Sequence, residues 1–161
     1  MFKLIKEQED RLSFTSGMLI NRIFAHELQK AVFYDGKINS FAELLQLFKN
    51  SDVAFSYQDG VLCGALWIQR EEHRVGRIHF VTFSPFNGEE ALPIIEKYLQ
   101  KKLDRSNNAC YTIIIGITPY RAVARYFRKI GFSDAVKMPD YHYDNYKQCY
   151  IPCWHTFLTP N

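Results

Sequence analysis

His79 lies in an alternating stretch, Arg77-Ile78-His79-Phe80-Val81-Thr82-Phe83. A period of two puts Ile78 and Phe80 on one face of a strand and His79, Val81 and Phe83 on the other. An imidazole titrates near neutrality and can take a proton from an amine, which makes His79 a candidate general base. The competing assignment is a packed, hydrogen-bonded core histidine. Arg121, Arg125 and Arg128, with Lys129, share one side of a helical pattern and form either an anion-binding face or a solvated one. Asn87-Gly88-Glu89-Glu90-Ala91-Leu92 reads as a loop entering a helix. Backbone N–H groups and the dipole at such a point favour an anion. Here Glu89 and Glu90 complement the dipole themselves, and Asn87 and Glu90 have capping-box spacing.

His142, Cys149, Cys153 and His155 are potential metal ligands. Cys-x3-Cys-x-His is not a closed-site zinc spacing, and Pro152 interrupts the segment, so no metal site is assigned. Tyr141-His142-Tyr143-Asp144-Asn145-Tyr146 gathers aromatic rings that line an acceptor pocket, contact a partner chain, or pack on an edge strand.

These residues need elements to hold them. Phe2–Glu7 alternates as a first strand. Ile20, Phe24, Leu28 and Ala31 share one face of a helix over 16–31. Ser40 with Glu43 forms a capping box before the stripe Phe41, Leu44, Leu45 and Phe48. Val53–Gln58 and Val61–Gln69 flank Asp59-Gly60, a hairpin turn. Arg77–Phe83 is the next strand. A helix follows from about Glu89 to Leu103, with Leu92, Ile95 and Leu99 inward and Pro93 near its first turn. Tyr111–Ile117 is β-branched and apolar, as in a strand buried on both faces. Thr118-Pro119 reads as an N-cap and first helical residue. That helix runs to Ile130, with Tyr120, Val123, Phe127 and Ile130 inward and Gly131 as its cap. Strands near Phe132–Met138 and Tyr146–Ile151 end the pattern, leaving a tail after Pro152.

The order β-α-α-β-β-β-α-β-α-β-β predicts an α/β fold with a mixed sheet and helices on both faces. Strands 77–83 and 111–117 should be parallel neighbours, because a helix joins them. The 161 residues suit one domain, 1–161, with a core over 1–151 and a C-terminal tail over 152–161. Twenty Lys and Arg against 17 Asp and Glu give +3, too little to point to nucleic acid as the partner. No apolar run reaches the roughly 20 residues of a membrane span. Charge at Lys3, Lys6 and Glu7 stands where a signal peptide would be apolar, so a cytoplasmic location is expected. Four cysteines are too few to imply a disulfide framework.

The element order resembles the Gcn5-related N-acetyltransferase superfamily over nearly the whole chain. Two local stretches carry the resemblance. Ile78 to Leu92 is similar to the family's fourth strand, pyrophosphate loop and third helix. Tyr120 to Phe132, ending Tyr126-Phe127-Arg128-Lys129-Ile130-Gly131-Phe132, is similar to its fourth helix. The resemblance implies an acyl-CoA N-acyltransferase-like fold, with acetyl-CoA in a notch where the fourth and fifth strands splay. Pantetheine would pair with backbone at Thr82 and Phe83, and the pyrophosphate would meet Asn87 and Gly88. It further implies transfer of an acetyl group from acetyl-CoA to an amine, with His79 as base and Tyr126 as acid.

The chain departs from the family pattern at identifiable positions. Asn87 replaces a Gln or Arg, Glu90 stands at a glycine position, and Leu92 replaces a Gly or Ala. Phe127 occupies the usual catalytic tyrosine position, and Tyr126 is one residue away. The pyrophosphate loop is degenerate on this reading. Some bacteriophage-encoded members of the superfamily, including a group related to P22-type head-assembly proteins, look similar: they pair a histidine in the fourth strand with a shortened loop like Asn87 to Leu92 and have an arginine-rich fourth helix. The alternative function is therefore a non-catalytic phage assembly or virion protein on the same fold, with a protein rather than acyl-CoA as its partner.

Overall fold

The computed structural model describes residues 1–25, 32–33, 38–103 and 111–160. Its elements are β1 (Phe2–Ile5), α1 (Glu9–Ala25), α2 (Phe41–Lys49), β2 (Ser51–Gln58), β3 (Val61–Glu72), β4 (Val75–Thr82), α3 (Gly88–Leu103), β5 (Ile113–Thr118), α4 (Arg121–Lys129), β6 (Val136–Asp144) and β7 (Cys149–Leu158). The seven strands form one sheet in the order β1-β2-β3-β4-β5-β7-β6. Among the described residues only β4 and β5 pair in parallel; the other neighbours are antiparallel. Helix α3 lies between β4 and β5 in sequence, because parallel strands need a long crossover.

Local chemistry explains several of these elements. Asp59 and Gly60 have φ of 51° and 82°, so a two-residue turn pairs Gln58 with Val61. Ser40 caps α2 by accepting from the Glu43 N–H at 3.3 Å, and Glu43 accepts from the Asn39 N–H at 2.7 Å. The Asn50 N–H closes the other end on the Leu47 carbonyl, and Leu44 and Phe48 are buried between.

Two apolar layers cover the two faces of the sheet. Ala91, Ile95, Leu99 and Leu103 of α3 and Phe127 of α4 pack on Leu66, Ile68, Ile78 and Ile114. Leu19, Ile20 and Ile23 of α1 and Leu44 and Phe48 of α2 pack on Val53, Phe55, Ala65, Trp67 and Val81. A bulge makes this division possible. Tyr57 pairs with Leu62 and Ser56 with Gly64, leaving Cys63 as the extra residue. The extra residue reverses which side of β3 each later side chain meets.

Several sequence expectations are corrected. Helix α1 begins at Glu9, not Ser16, and its inner face is Leu19, Ile20 and Ile23; Phe24 is 41% exposed. Leu28 and Ala31 lie outside the described residues. Pro93 falls inside α3, past the first turn. Thr118 is the last residue of β5, not a helix cap, and its hydroxyl accepts from the Tyr120 N–H at 3.1 Å. Tyr120 takes the cap position and is 41% exposed rather than core. The last two strands are longer and later than the sequence suggested. The stretch after Pro152, expected to be a tail, completes β7, which lies inside the sheet between β5 and β6. Cys153, Thr156 and Leu158 are buried there, where β5 and β6 flank the strand on both sides. Among the described residues no helix is long and apolar enough to cross a membrane.

Candidate acyl-transfer cleft

The parallel ladder between β4 and β5 runs from Val75 opposite Ile113 to Ile78 opposite Gly116, and stops. Strand β4 continues to Thr82 and β5 to Thr118, so the two strands part. The resulting cleft has about 770 Å³ of space, part of it open to solvent. His79, Phe80 and Thr82 line one wall; Ile117, Thr118, Tyr120 and Phe127 line the other.

Backbone phase decides what β4 offers to this cleft. The Phe83 N–H donates to the Cys63 carbonyl at 2.8 Å, on the β3 side. On the other side, the Thr112 N–H donates to the Arg74 carbonyl at 2.8 Å. Backbone groups of successive strand residues point alternately to the two neighbours. His79, Val81 and Phe83 therefore face β3, while Phe80 and Thr82 direct N–H and C=O into the cleft. Thr82, expected to pair with pantetheine, has its backbone groups on the cleft side. Phe83 does not: its N–H is used by β3, and its ring is buried on the α1 side. Phe80 is the other residue of β4 that lines the cleft with its backbone groups on that side.

His79 faces α1 and α2, as alternation required. Its ring stacks on Trp67, with centroids 5.3 Å apart and planes 9° from parallel. Trp67 is fixed in turn by Phe48 at 5.4 Å and Phe33 at 6.3 Å. Tyr126 lies on the other face of the sheet, its ring 5.5 Å from Phe80 and 6.5 Å from Phe86. It borders a small apolar chamber with Leu66, Ile95 and Ile130 and is not among the residues lining the cleft. Among the described residues its buried hydroxyl has no hydrogen-bond partner, and burial pushes its pKa up to about 12. A phenol so reluctant to lose its proton is a poor acid toward a thiolate. The structure thus does not bring Tyr126 and His79 together. Tyr120, seven residues from Phe127 along the chain, is the phenol at the cleft.

The start of α3 is occupied by the chain itself. Asn87 Oδ1 accepts from the Glu89 N–H at 3.1 Å and the Glu90 N–H at 3.5 Å. Glu90 accepts from the Phe2 N–H at 3.0 Å and Gln58 Nε2 at 3.1 Å, and the Asn87 amide reaches it at 3.4 Å. The Gln58 hydrogen bond, with the N-terminal ammonium and the Phe2 N–H, holds the exposed Glu90 carboxyl below the usual range. Gly88 begins the helix beside Phe86 and Tyr126. The cleft therefore fits a pantetheine arm, whereas Asn87 and Gly88 do not offer a pyrophosphate cradle: two of the N–H donors are satisfied and carboxylates surround them.

The fold is that of the Gcn5-related N-acetyltransferases. No protein-family model and no curated protein matches the chain. Solved structures do. An acetyltransferase of this family from Streptococcus pneumoniae superposes with a TM-score of 0.64 at 14% identity, covering 100% of both chains. Spermidine N-acetyltransferase from Vibrio cholerae, solved with CoA and spermine, gives 0.68 at 14% identity over 98% of this chain and 95% of that one. Ribosomal-protein-S5-alanine acetyltransferase from Vibrio fischeri gives 0.69 at 14% identity over 99% and 92%.

On this acetyltransferase fold, three contributors to the site escaped sequence reasoning. Trp67 reads only as part of an apolar strand. Phe80 acts through its backbone and carries no side-chain signal. Arg22 of α1 donates from Nη1 to the Leu62 carbonyl and from Nη2 to the Ser84 carbonyl at 2.9 Å, tying the β3 bulge to the loop after β4. A lone arginine on a helix gives no hint of that span. On the His79 side a groove of about 620 Å³ runs along Val75, Arg77, Ile115 and Ile117 toward Glu71, Glu72 and Tyr141. Of the Tyr141–Tyr146 cluster, Tyr141 lines this groove, while Tyr143 and Tyr146 are exposed.

Proposed function

We propose that the protein transfers an acetyl group from a pantetheine thioester, acetyl-CoA in the simplest case, to an amine. The observation that carries this reading is the parting of β4 from β5, which leaves Phe80 and Thr82 with backbone groups directed into the cleft. Pairing of this kind requires no particular side chain, so it survives the departures elsewhere in the chain. His79 takes the amine proton from the opposite side of β4. The amine nitrogen bonds to the acyl carbon as the carbon–sulfur bond breaks, and the thiolate leaves toward Tyr120, the phenol at the cleft. Positioning of the two reactants is expected to supply most of the acceleration.

Release of free thiol from acetyl-CoA in the presence of a panel of amines tests this reading. Thiol release that depends on an amine and is lost in His79→Gln supports it. Failure of any pantetheine thioester to bind at millimolar concentration overturns it. That outcome favours a second reading, a non-catalytic assembly protein of the kind some phages encode. The exposed rings of Tyr141, Tyr143, Tyr146 and Tyr150 on β6, β7 and the turn between them support that alternative.

A further inference from the structure

We infer that the preferred donor is an acyl group carried on the phosphopantetheine arm of an acidic carrier protein, rather than on CoA. The inference rests on the acyl-transfer reading and concerns how the donor is recognised. Two surfaces beside the cleft have opposite charge, and neither suits CoA in the way the fold would suggest.

The first is the start of α3. CoA requires this point to hold a pyrophosphate. Here Asn87 Oδ1 already accepts from the Glu89 and Glu90 N–H groups, and the Glu90 carboxylate is anchored by the Phe2 N–H and Gln58. Asp59 lies close enough for its charge to be felt at Glu90. Glu89, Glu90 and Asp59 thus gather where CoA would place its pyrophosphate; the N-terminal ammonium, paired with Asp59 and 3.7 Å from Glu90, offsets one of the three charges, and the remaining negative charge opposes that placement. A carrier-bound arm presents one phosphodiester and no adenine nucleotide, so it meets less of this repulsion.

The second surface is α4. Tyr120 at its start and Val123 and Phe127 along it line the cleft. Its outer side exposes Arg121, Arg125, Arg128 and Lys129. Arg128 pairs with Asp134 at 3.2 Å, and the Arg121 guanidinium lies 5.9 Å from the Trp154 ring centroid. Among the described residues Arg125 and Lys129 have no acidic partner. The phosphates of CoA can meet such a surface at one point, but they cannot cover the solvent side of a whole helix. A protein with an acidic docking face can, and complementary charge orients it with its arm toward the cleft mouth. The arm then enters between β4 and β5 and pairs with Phe80 and Thr82, while the protein body remains outside on α4.

Isothermal titration of the full chain with CoA, with free phosphopantetheine, and with the apo and phosphopantetheine-bearing forms of an acidic acyl carrier protein tests the inference without knowledge of the amine. The phosphopantetheine-bearing carrier should bind at least tenfold more tightly than CoA and more tightly than the apo carrier. Arg121→Glu with Arg125→Glu should weaken the carrier at least tenfold relative to free phosphopantetheine. CoA binding as tightly as the loaded carrier overturns the inference and leaves the acyl-transfer reading standing. An apo carrier that binds as well as the loaded one also overturns it, because the arm then contributes nothing. If neither CoA, phosphopantetheine nor the loaded carrier binds, the acyl-transfer reading itself fails, and the inference with it.

Discussion

The imidazole of His79 lies flat on the indole of Trp67, 5.3 Å between centroids. Trp67 is 1% exposed and held by Phe48 and Phe33, so the indole is a rigid shelf. A general base must hold its position to within a fraction of an ångström to be effective. Stacking restrains the His79 ring through its face. The same contact explains how His79 can be part of the core on one side and part of the cleft on the other.

His79→Gln removes both the base and the stacked ring. Transfer should fall by about a hundredfold or more. Stability should fall by only about 1 kcal/mol, the order of one aromatic contact. Amine-dependent thiol release and thermal unfolding, measured on the same preparation, separate the two effects. A loss of activity no larger than the loss of folded protein would make His79 a structural residue.

Tyr126→Phe deletes a hydroxyl that is buried without a hydrogen-bond partner among the described residues. Activity should be unchanged, and the melting temperature should stay the same or rise, because an unsatisfied buried polar group costs roughly 1–3 kcal/mol. A drop in turnover of tenfold or more with intact folding would return Tyr126 to the chemistry.

Glu90→Gln keeps an oxygen to accept from the Phe2 N–H but removes the charge. CoA affinity should rise by about tenfold, equivalent to about 1.4 kcal/mol. Calorimetric titration reads it directly. No change would place the nucleotide phosphates away from the start of α3.

Gly64→Ala should unfold the site. A β-carbon at Gly64 would fall far inside contact with the Val81 carbonyl oxygen and 2.9 Å from Ser56 Oγ. Backbone cannot retreat as a flexible side chain can, so a loss of about 3 kcal/mol is expected. Denaturant titration checks it; a variant as stable as the parent would mean that β3 and β4 are not so closely apposed.

His155 gives the fold an acid-sensitive point. Burial, helped by the Arg77 charge, lowers its pKa from 6.5. The native state therefore binds fewer protons than the unfolded state just below that value. Its contribution is complete above pH 6.5 and is lost as pH falls through the lowered folded pKa. Melting temperature should decline between pH 7 and pH 5, and His155→Phe should make that decline shallower. An identical decline in the variant would assign it to other groups.

Much of this protein follows from local sequence. The Asp59-Gly60 turn, the Ser40 cap of α2, the alternation through His79 and the crossover that makes β4 and β5 parallel depend on neighbours a few residues apart, where periodicity and turn chemistry operate. The tertiary structure decided what depended on register. Glu72 opposite Val75 would, by simple counting, set Ile68 across from His79; a shift between Arg70 and Glu72 puts Trp67 there instead. The Cys63 bulge likewise chose the faces of β3, and β7 entered the sheet beyond Pro152, where local sequence suggested only a tail. Tyr126 and His79, both plausible for chemistry by type, were separated by the sheet itself. A one-residue slip in a strand reverses every side chain after it, and local sequence does not encode which slip the assembled sheet adopts.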